Sequence, residues 1–185
     1  MHTKCTIYVI QHGQSEENIL EDQNRVGNYD DLESSLSEKG REQAKHLSNK
    51  LKDIHFHAVW SSDLSRAYET ALIIKGERNI SVQQDRSIRE IHYGKYHKQF
   101  SKIRAQFEAS VRLLPENEKM KYKFEDIETE EHAMMRLYTF VQKLASNNSG
   151  QTIALVNHGK NMRMLLIKLG FGTYDEVPRG LCIGS

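Results

Sequence analysis

Short apolar runs alternate with amphipathic stretches along this chain. Ile7, Tyr8, Val9 and Ile10 are β-branched or aromatic and are followed by Gln11, His12 and Gly13, which predicts a buried strand ending in a turn. Ala58 to Ser61 and Ile80 to Gln83 read as two further short strands, and Thr152 to Asn157, with its core Ile153-Ala154-Leu155-Val156, as a fourth. Between them the apolar residues recur with helical period. Ser37 reads as the N-cap of a helix that turns Ala44, Leu47 and Leu51 inward and Arg41, Glu42, Lys45 and Lys50 outward. Ser62 or Asp63 is expected to cap a helix carrying Ala67, Ala71 and Ile74 on one face. Gln99 to Leu114 reads as helical and stops at Pro115. Thr129 caps an amphipathic helix with Met134, Leu137, Tyr138, Val141 and Leu144 inside, and a last helix runs to Leu169 and closes on Gly170.

The remaining stretches are polar. Ser15 to Leu20 predicts a short helical turn. The loop that follows, through Ser35, holds the turn formers Asn24, Gly27, Asn28, Asp30 and Asp31 and is long enough to suggest a functional loop. Ile88 to Phe100 reads as irregular, and Glu116 to Glu128 as a charged, exposed excursion in which Lys119 to Lys123 forms a solvated face. Strands alternating with helices argue for an α/β fold around a largely parallel sheet.

Composition narrows the function classes. The chain has 185 residues, enough for one domain over 1–185, and 38% hydrophobic and 28% charged residues, as in a water-soluble globular protein. A net charge of +1 offers no global field for nucleic acid or an anionic membrane. The two cysteines, Cys5 and Cys182, define neither a disulfide framework nor a metal spacing, which fits a reducing compartment. The N-terminal apolar run, broken by Gln11, is too short for a signal-peptide core, and no window has the length of a membrane span, so a cytoplasmic location is expected.

Two strands end alike: Ile10-Gln11-His12-Gly13 and Val156-Asn157-His158-Gly159 are each an apolar run followed by a polar residue, His and Gly. In a parallel sheet the two imidazoles face each other at the carboxyl edge, where ligands gather. Paired imidazoles suit a metal or a phosphoryl group. The third partner on offer is Arg66, at a strand exit that opens a helix N-terminus, a setting that favours an anion. Two other features point elsewhere. His55 and His57 share one face of an extended segment but have no third ligand at metal spacing; His92 to Lys98 mixes basic and aromatic residues as single-strand nucleic-acid sites do, but with a balanced net charge and no basic stripe elsewhere a substrate-pocket rim is the stronger reading.

Together these residues resemble the histidine phosphatase superfamily, in its phosphoglycerate mutase-like branch. Gln11-His12-Gly13-Gln14-Ser15-Glu16-Glu17-Asn18 is similar to the family's Arg-His-Gly-x-Ser/Thr-x-x-Asn signature. Leu36 to Ala44 is similar to its Leu-Ser/Thr-x-x-Gly-x-x-Gln-Ala helix start, and Ser61 to Ala71 to its Ser-Ser-x-x-x-Arg-Ala-x-x-Thr-Ala element. Ile88 to Tyr96 resembles its Leu-x-Glu-x-x-x-Gly-x-Trp segment, and Asn157-His158-Gly159 through Arg163 its second-histidine motif. The resemblance implies a three-layer sandwich around a mostly parallel sheet, with residues 91–128 as a substrate-cap region. It implies no metal and no cofactor.

It also implies roles. His12 is the nucleophile that takes the phosphoryl group, Glu90 the general acid and then the base for water, and His158 and Arg66 hold equatorial phosphate oxygens. Gln11, Gly13, Ser15, Asn18 and Gly159 complete the phosphate and substrate site. The expected function is hydrolysis of a small phosphorylated metabolite, with no nucleic-acid or membrane partner. The alternatives are a phosphoglycerate mutase-type phosphotransferase and a phosphate-ester-binding pseudoenzyme or scaffold. Three departures qualify the resemblance. Gln11 stands where the family has an arginine, so one charged donor is lost and activity is expected to be attenuated, unless Lys160 or Arg25 supplies the charge. His97-Lys98 stands where Glu-Gly is common, and the chain stops where relatives continue into a further strand, so a C-terminal strand is expected to be missing or shortened.

Overall fold

A computed structural model describes residues 4–22 and 34–178. The polar loop with Arg25, and the C-terminal strand question with Cys182, fall on residues 23–33 and 179–185, outside the described residues.

The predicted alternation forms. In chain order the elements are β1 (Thr6–Gln11), α1 (Glu16–Asp22), α2 (Glu38–Lys50), β2 (Ala58–Ser61), α3 (Ser65–Lys75), β3 (Val82–Gln84), α4 (Phe100–Arg112), α5 (Glu116–Lys119), α6 (Glu130–Asn147), β4 (Thr152–Asn157) and α7 (Gly159–Lys168). The described strands make one sheet in the order β1-β4-β2-β3, with every pairing parallel. Residues of β4 alternate between two cores, as strand geometry requires. Ala154 and Val156 join Ile10, Val59, Ala67 and Ala71 under α2 and α3. Leu155 turns the other way, with Leu137 and Leu165 under α6 and α7. The result is the three-layer sandwich that the resemblance implied. β1 is an outer strand of the described sheet, and its Tyr8 is exposed.

Capping follows the sequence at two of three helices. Ser37 accepts from the Gly40 N–H and Thr129 from the His132 N–H. The third expectation fails: α3 has Leu64 at its N-cap and no side-chain cap bond. Asp63 is turned away into a two-pronged pair with Arg89 at 2.6 and 2.7 Å, and Ser62 Oγ accepts from the Leu64 N–H.

The stretch read as a charged, exposed excursion is folded instead. Ile127 is buried with Ile91 and Met134, and Met120 and Phe124 pack between this core and the Phe107–Tyr174 cluster beneath α4. Lys119, expected on a solvated face, is buried, with its ammonium on Asp175 and Glu116 and over the Tyr174 ring. A lysine stem covers apolar surface readily when acids meet its head. Lys121 and Lys123 do stay exposed.

Candidate active site

β1 and β4 are neighbours, and their register pairs Gln11 with Asn157. The next residue on each strand is therefore a histidine at the same height. The rings of His12 and His158 lie edge to face, with centroids 5.0 Å apart. His12 N–H donates to the Asn157 carbonyl at 3.0 Å, which locks the two exits together.

The orientation of His12 sets its chemistry. Its Nδ1 lies 2.7 Å from the Gly13 carbonyl oxygen. A carbonyl only accepts, so Nδ1 carries the proton and Nε2 keeps its lone pair. Burial, and next the Arg66 charge, push the His12 pKa down to about 3, against the pull of the Gly13 carbonyl. The ring is thus neutral at physiological pH. His158 is buried as well, and burial with the charges of Arg66 and His12 holds it well below the ordinary histidine range.

Glycine makes the turn possible. A Cβ on Gly13 would collide with the Gly40 carbonyl, and one on Gly40 with the Gln14 carbonyl, so two backbones touch where α2 begins. The Gly13 N–H donates to Thr70 Oγ1 at 3.1 Å, and Thr70 donates in turn to the Arg66 carbonyl at 2.8 Å. Arg66 itself, in the first turn of α3, is 5% exposed, and its Nη1 lies 3.7 Å from Glu17 Oε2. Ser15 and Asn18 are brought to the same turn, where they serve it structurally. Asn18 Oδ1 accepts from the Ser15 N–H and Ser15 Oγ from the Asn18 N–H, a reciprocal cap at the start of α1.

Glu90 follows the 3₁₀ turn Arg86–Ile88, half-buried, with Oε1 accepting from the Ile91 N–H at 3.0 Å. Burial raises its pKa, opposed by Lys160, the Ile91 N–H, Arg66 and Arg136. Three groups that the sequence did not single out for the site hold its backbone. Arg136 on α6 donates to the Glu90 carbonyl at 2.9 Å and the Ser87 carbonyl at 2.8 Å, while Glu128 grips the same guanidinium at 2.9 and 3.0 Å. Asn161 donates to the Arg89 carbonyl at 2.7 Å, and Arg89 is tied to Asp63.

Among the described residues Gln11 reaches no charged partner. Its side chain lies against Gly159, where a Cβ would come 2.7 Å from Nε2. Among the described residues Gln11 Oε1, both side-chain polar atoms of Asn157 and both ring nitrogens of His158 are buried without a hydrogen-bond partner. Buried polar atoms are ordinarily satisfied, so this cluster at the carboxyl edge of β1 and β4 is built for a polar ligand. Arg66 and the first turn of α7 give that ligand a negative sign.

Two weaker sequence features have partners of their own. His55 and His57 stack edge to face at 4.8 Å, with His57 Nδ1 accepting from the Thr152 N–H. No group of three His, Cys, Asp or Glu that could hold a metal occurs among the described residues. Lys95 of the basic-aromatic stretch is paired with Glu125. No helix among the described residues is long and apolar enough to cross a membrane.

Known proteins share both sequence and architecture. Phosphoserine phosphatase 1 of Hydrogenobacter thermophilus is 29% identical over 165 residues, covering 88% of this chain and 75% of the relative. Phosphoglycerate mutase-like protein 4 of Arabidopsis thaliana is 30% identical over 169 residues, covering 86% and 68%. Among solved structures, Bacillus stearothermophilus YhfR superposes with a TM-score of 0.77 at 28% identity, covering 94% of this chain and 83% of that one. The match to the family described as histidine phosphatase superfamily (branch 1) runs over residues 7–179. That span takes in both histidine exits and everything between them, and the chain belongs to this superfamily.

Proposed function

We propose that this protein hydrolyses a small phosphorylated metabolite through a phosphohistidine on His12. The observation that carries the reading is the Nδ1–H bond of His12 to the Gly13 carbonyl, which aims a neutral Nε2 lone pair toward the anion site. Nε2 attacks phosphorus and the bond from phosphorus to the ester oxygen breaks. The Glu90 carboxyl, whose raised pKa keeps its proton to higher pH, gives that proton to the leaving oxygen. Glu90 as carboxylate then takes a proton from water, the hydroxide attacks the phosphohistidine, and inorganic phosphate leaves. His158 and Arg66 meet the equatorial oxygens, where charge gathers. Residues 91–128, which pack over α6 and α7, act as the substrate cap.

The names of relatives support the class: one is a phosphoserine phosphatase, and a mycobacterial glucosyl-3-phosphoglycerate phosphatase, 25% identical with a TM-score of 0.70, was solved with VO3. The test is release of phosphate from an aryl phosphate by the protein and by His12→Ala, with acid-labile phosphate sought on His12. A drop of about four orders of magnitude and a label that His12→Ala abolishes are expected. Equal turnover by both proteins would overturn the mechanism. Gln11 supports a second reading, a phosphate-ester-binding protein without turnover. It predicts saturable vanadate binding and no labelled His12.

A further inference from the structure

We propose that Lys160 and Glu130 form a subsite for the leaving group, and that the substrate is the phosphate ester of a small carboxylic acid bearing a neighbouring hydroxyl or ammonium. The inference rests on the phosphatase reading and adds the substrate class to it.

Lys160 stands in the first turn of α7, two residues beyond His158. Its Nζ lies over the Tyr93 ring at 5.2 Å and the Phe107 ring at 6.0 Å, and 3.7 Å from Glu130 Oε1. Burial works against its charge, yet Tyr93, Glu130 and Glu90 hold its pKa above the ordinary lysine value. Tyr93, over which it lies, follows Glu90 by three residues, and the Lys160 charge is the largest of the influences opposing the rise of the Glu90 pKa. With phosphate on His12, His158 and Arg66, and Glu90 at the leaving oxygen, the alcohol portion of the ester extends toward this cation.

Glu130 defines what accompanies the charge. It is the first residue of α6 and 6% exposed, and its Oε2 is buried without a hydrogen-bond partner among the described residues. A buried carboxylate oxygen in that state calls for a donor. A cation and an acceptor 3.7 Å apart suit a carboxylate with an adjacent hydroxyl or ammonium. A second phosphate would bring two negative charges against Glu130 with one lysine to meet them.

The test compares pairs of esters that differ in one group. O-phospho-L-serine against O-phosphoethanolamine reads the carboxylate, and O-phospho-L-serine or 3-phosphoglycerate against 3-phosphooxypropionate reads the ammonium or hydroxyl. The ratio of kcat/KM within each pair is taken for the protein and each variant, which cancels any general effect of Lys160 on Glu90. The carboxylate ratio is expected to be about 10- to 100-fold, as for one charged hydrogen bond, and to fall toward one in Lys160→Met. Glu130→Gln is expected to lower the ammonium or hydroxyl ratio selectively. A carboxylate ratio near one in the unaltered protein, or one unchanged by Lys160→Met, would overturn the proposal. Lys160→Gln serves if the methionine variant does not fold. Where no ester is turned over, the phosphatase reading has failed, and the same ratios taken as Kd values by calorimetry decide the subsite on their own.

Discussion

Gln11 is the residue on which the chemistry turns. It has the right place, on β1 immediately before His12, and the wrong group, since an amide carries no charge and no guanidinium fork. On the proposed reading, Arg66, His158 and the first turn of α7 remain to meet the phosphate. Gln11→Arg is therefore expected to raise the rate with an aryl phosphate by about 10²-fold, the weight of one preorganised donor. Parallel assay of the two proteins checks this, and an unchanged rate would mean that Gln11 is not the defect. As the proposed proton donor, Glu90 would set the alkaline side. An acid with a raised pKa stays protonated to higher pH, so the rate with an alkyl phosphate is expected to fall as pH rises through that value. His12 protonates only near pH 3 and leaves the rest of the range free. Glu90→Gln should abolish the alkaline limb and slow an alkyl phosphate far more than an aryl one, whose leaving group needs no proton. A pH profile of each variant with both substrates separates the outcomes.

Between elements, the tightest constraint is backbone on backbone. Gly13 at the end of β1 and Gly40 in α2 touch with no room for a methyl group. Gly40→Ala is expected to destabilise the fold by about 2–3 kcal/mol, read from urea midpoints, because the new Cβ would come 2.0 Å from the Gln14 carbonyl oxygen. The Arg136 clamp is the second device. Arg136→Gln should lower kcat with an alkyl phosphate by about tenfold and shift the alkaline limb upward, since a cation that opposes the rise of the Glu90 pKa is lost. A loss of stability alone, with kcat and the pH profile intact, would leave Arg136 only a structural part. These two devices mark how far the sequence could be read. Both His-Gly exits, Arg66 and the caps at Ser37 and Thr129 are local patterns, and each stands where periodicity or spacing put it. The clamp joins Arg136 to carbonyls 46 and 49 residues away, and no local pattern shows such a bond. The burial of Lys119 was hidden for the same reason, because its acid Asp175 lies 56 residues on. Gln11 was legible as a departure, while its contact with Gly159 needed the parallel register of β1 and β4.

At the scale of the whole molecule, the active edge is a liability at low pH. His12 and His158 are both buried and neutral, with pKa values held below the ordinary histidine value of about 6.5. In the unfolded chain each binds a proton near that value. Below it the unfolded state holds more protons than the native state, so stability is present in full above about pH 6.5 and is lost as pH falls toward the folded value of about 3 for His12. Glu90 acts in the opposite sense, since its raised pKa lets the native state hold a proton that the unfolded chain has released, and this contribution fades as pH rises. Two histidines stand against one carboxyl, so the melting temperature is expected to fall between pH 7 and 4.5. His158→Asn removes one of the two buried bases and should flatten that fall, with the difference between the proteins largest at the acid end. Thermal melts across this range, at constant ionic strength, give the comparison. Parallel curves for the two proteins would mean that His158 is not kept neutral by the fold. Ligand should act on the same balance. Phosphate or vanadate binding beside two neutral imidazoles favours their protonated forms, so either anion is expected to raise the melting temperature more at pH 5 than at pH 8.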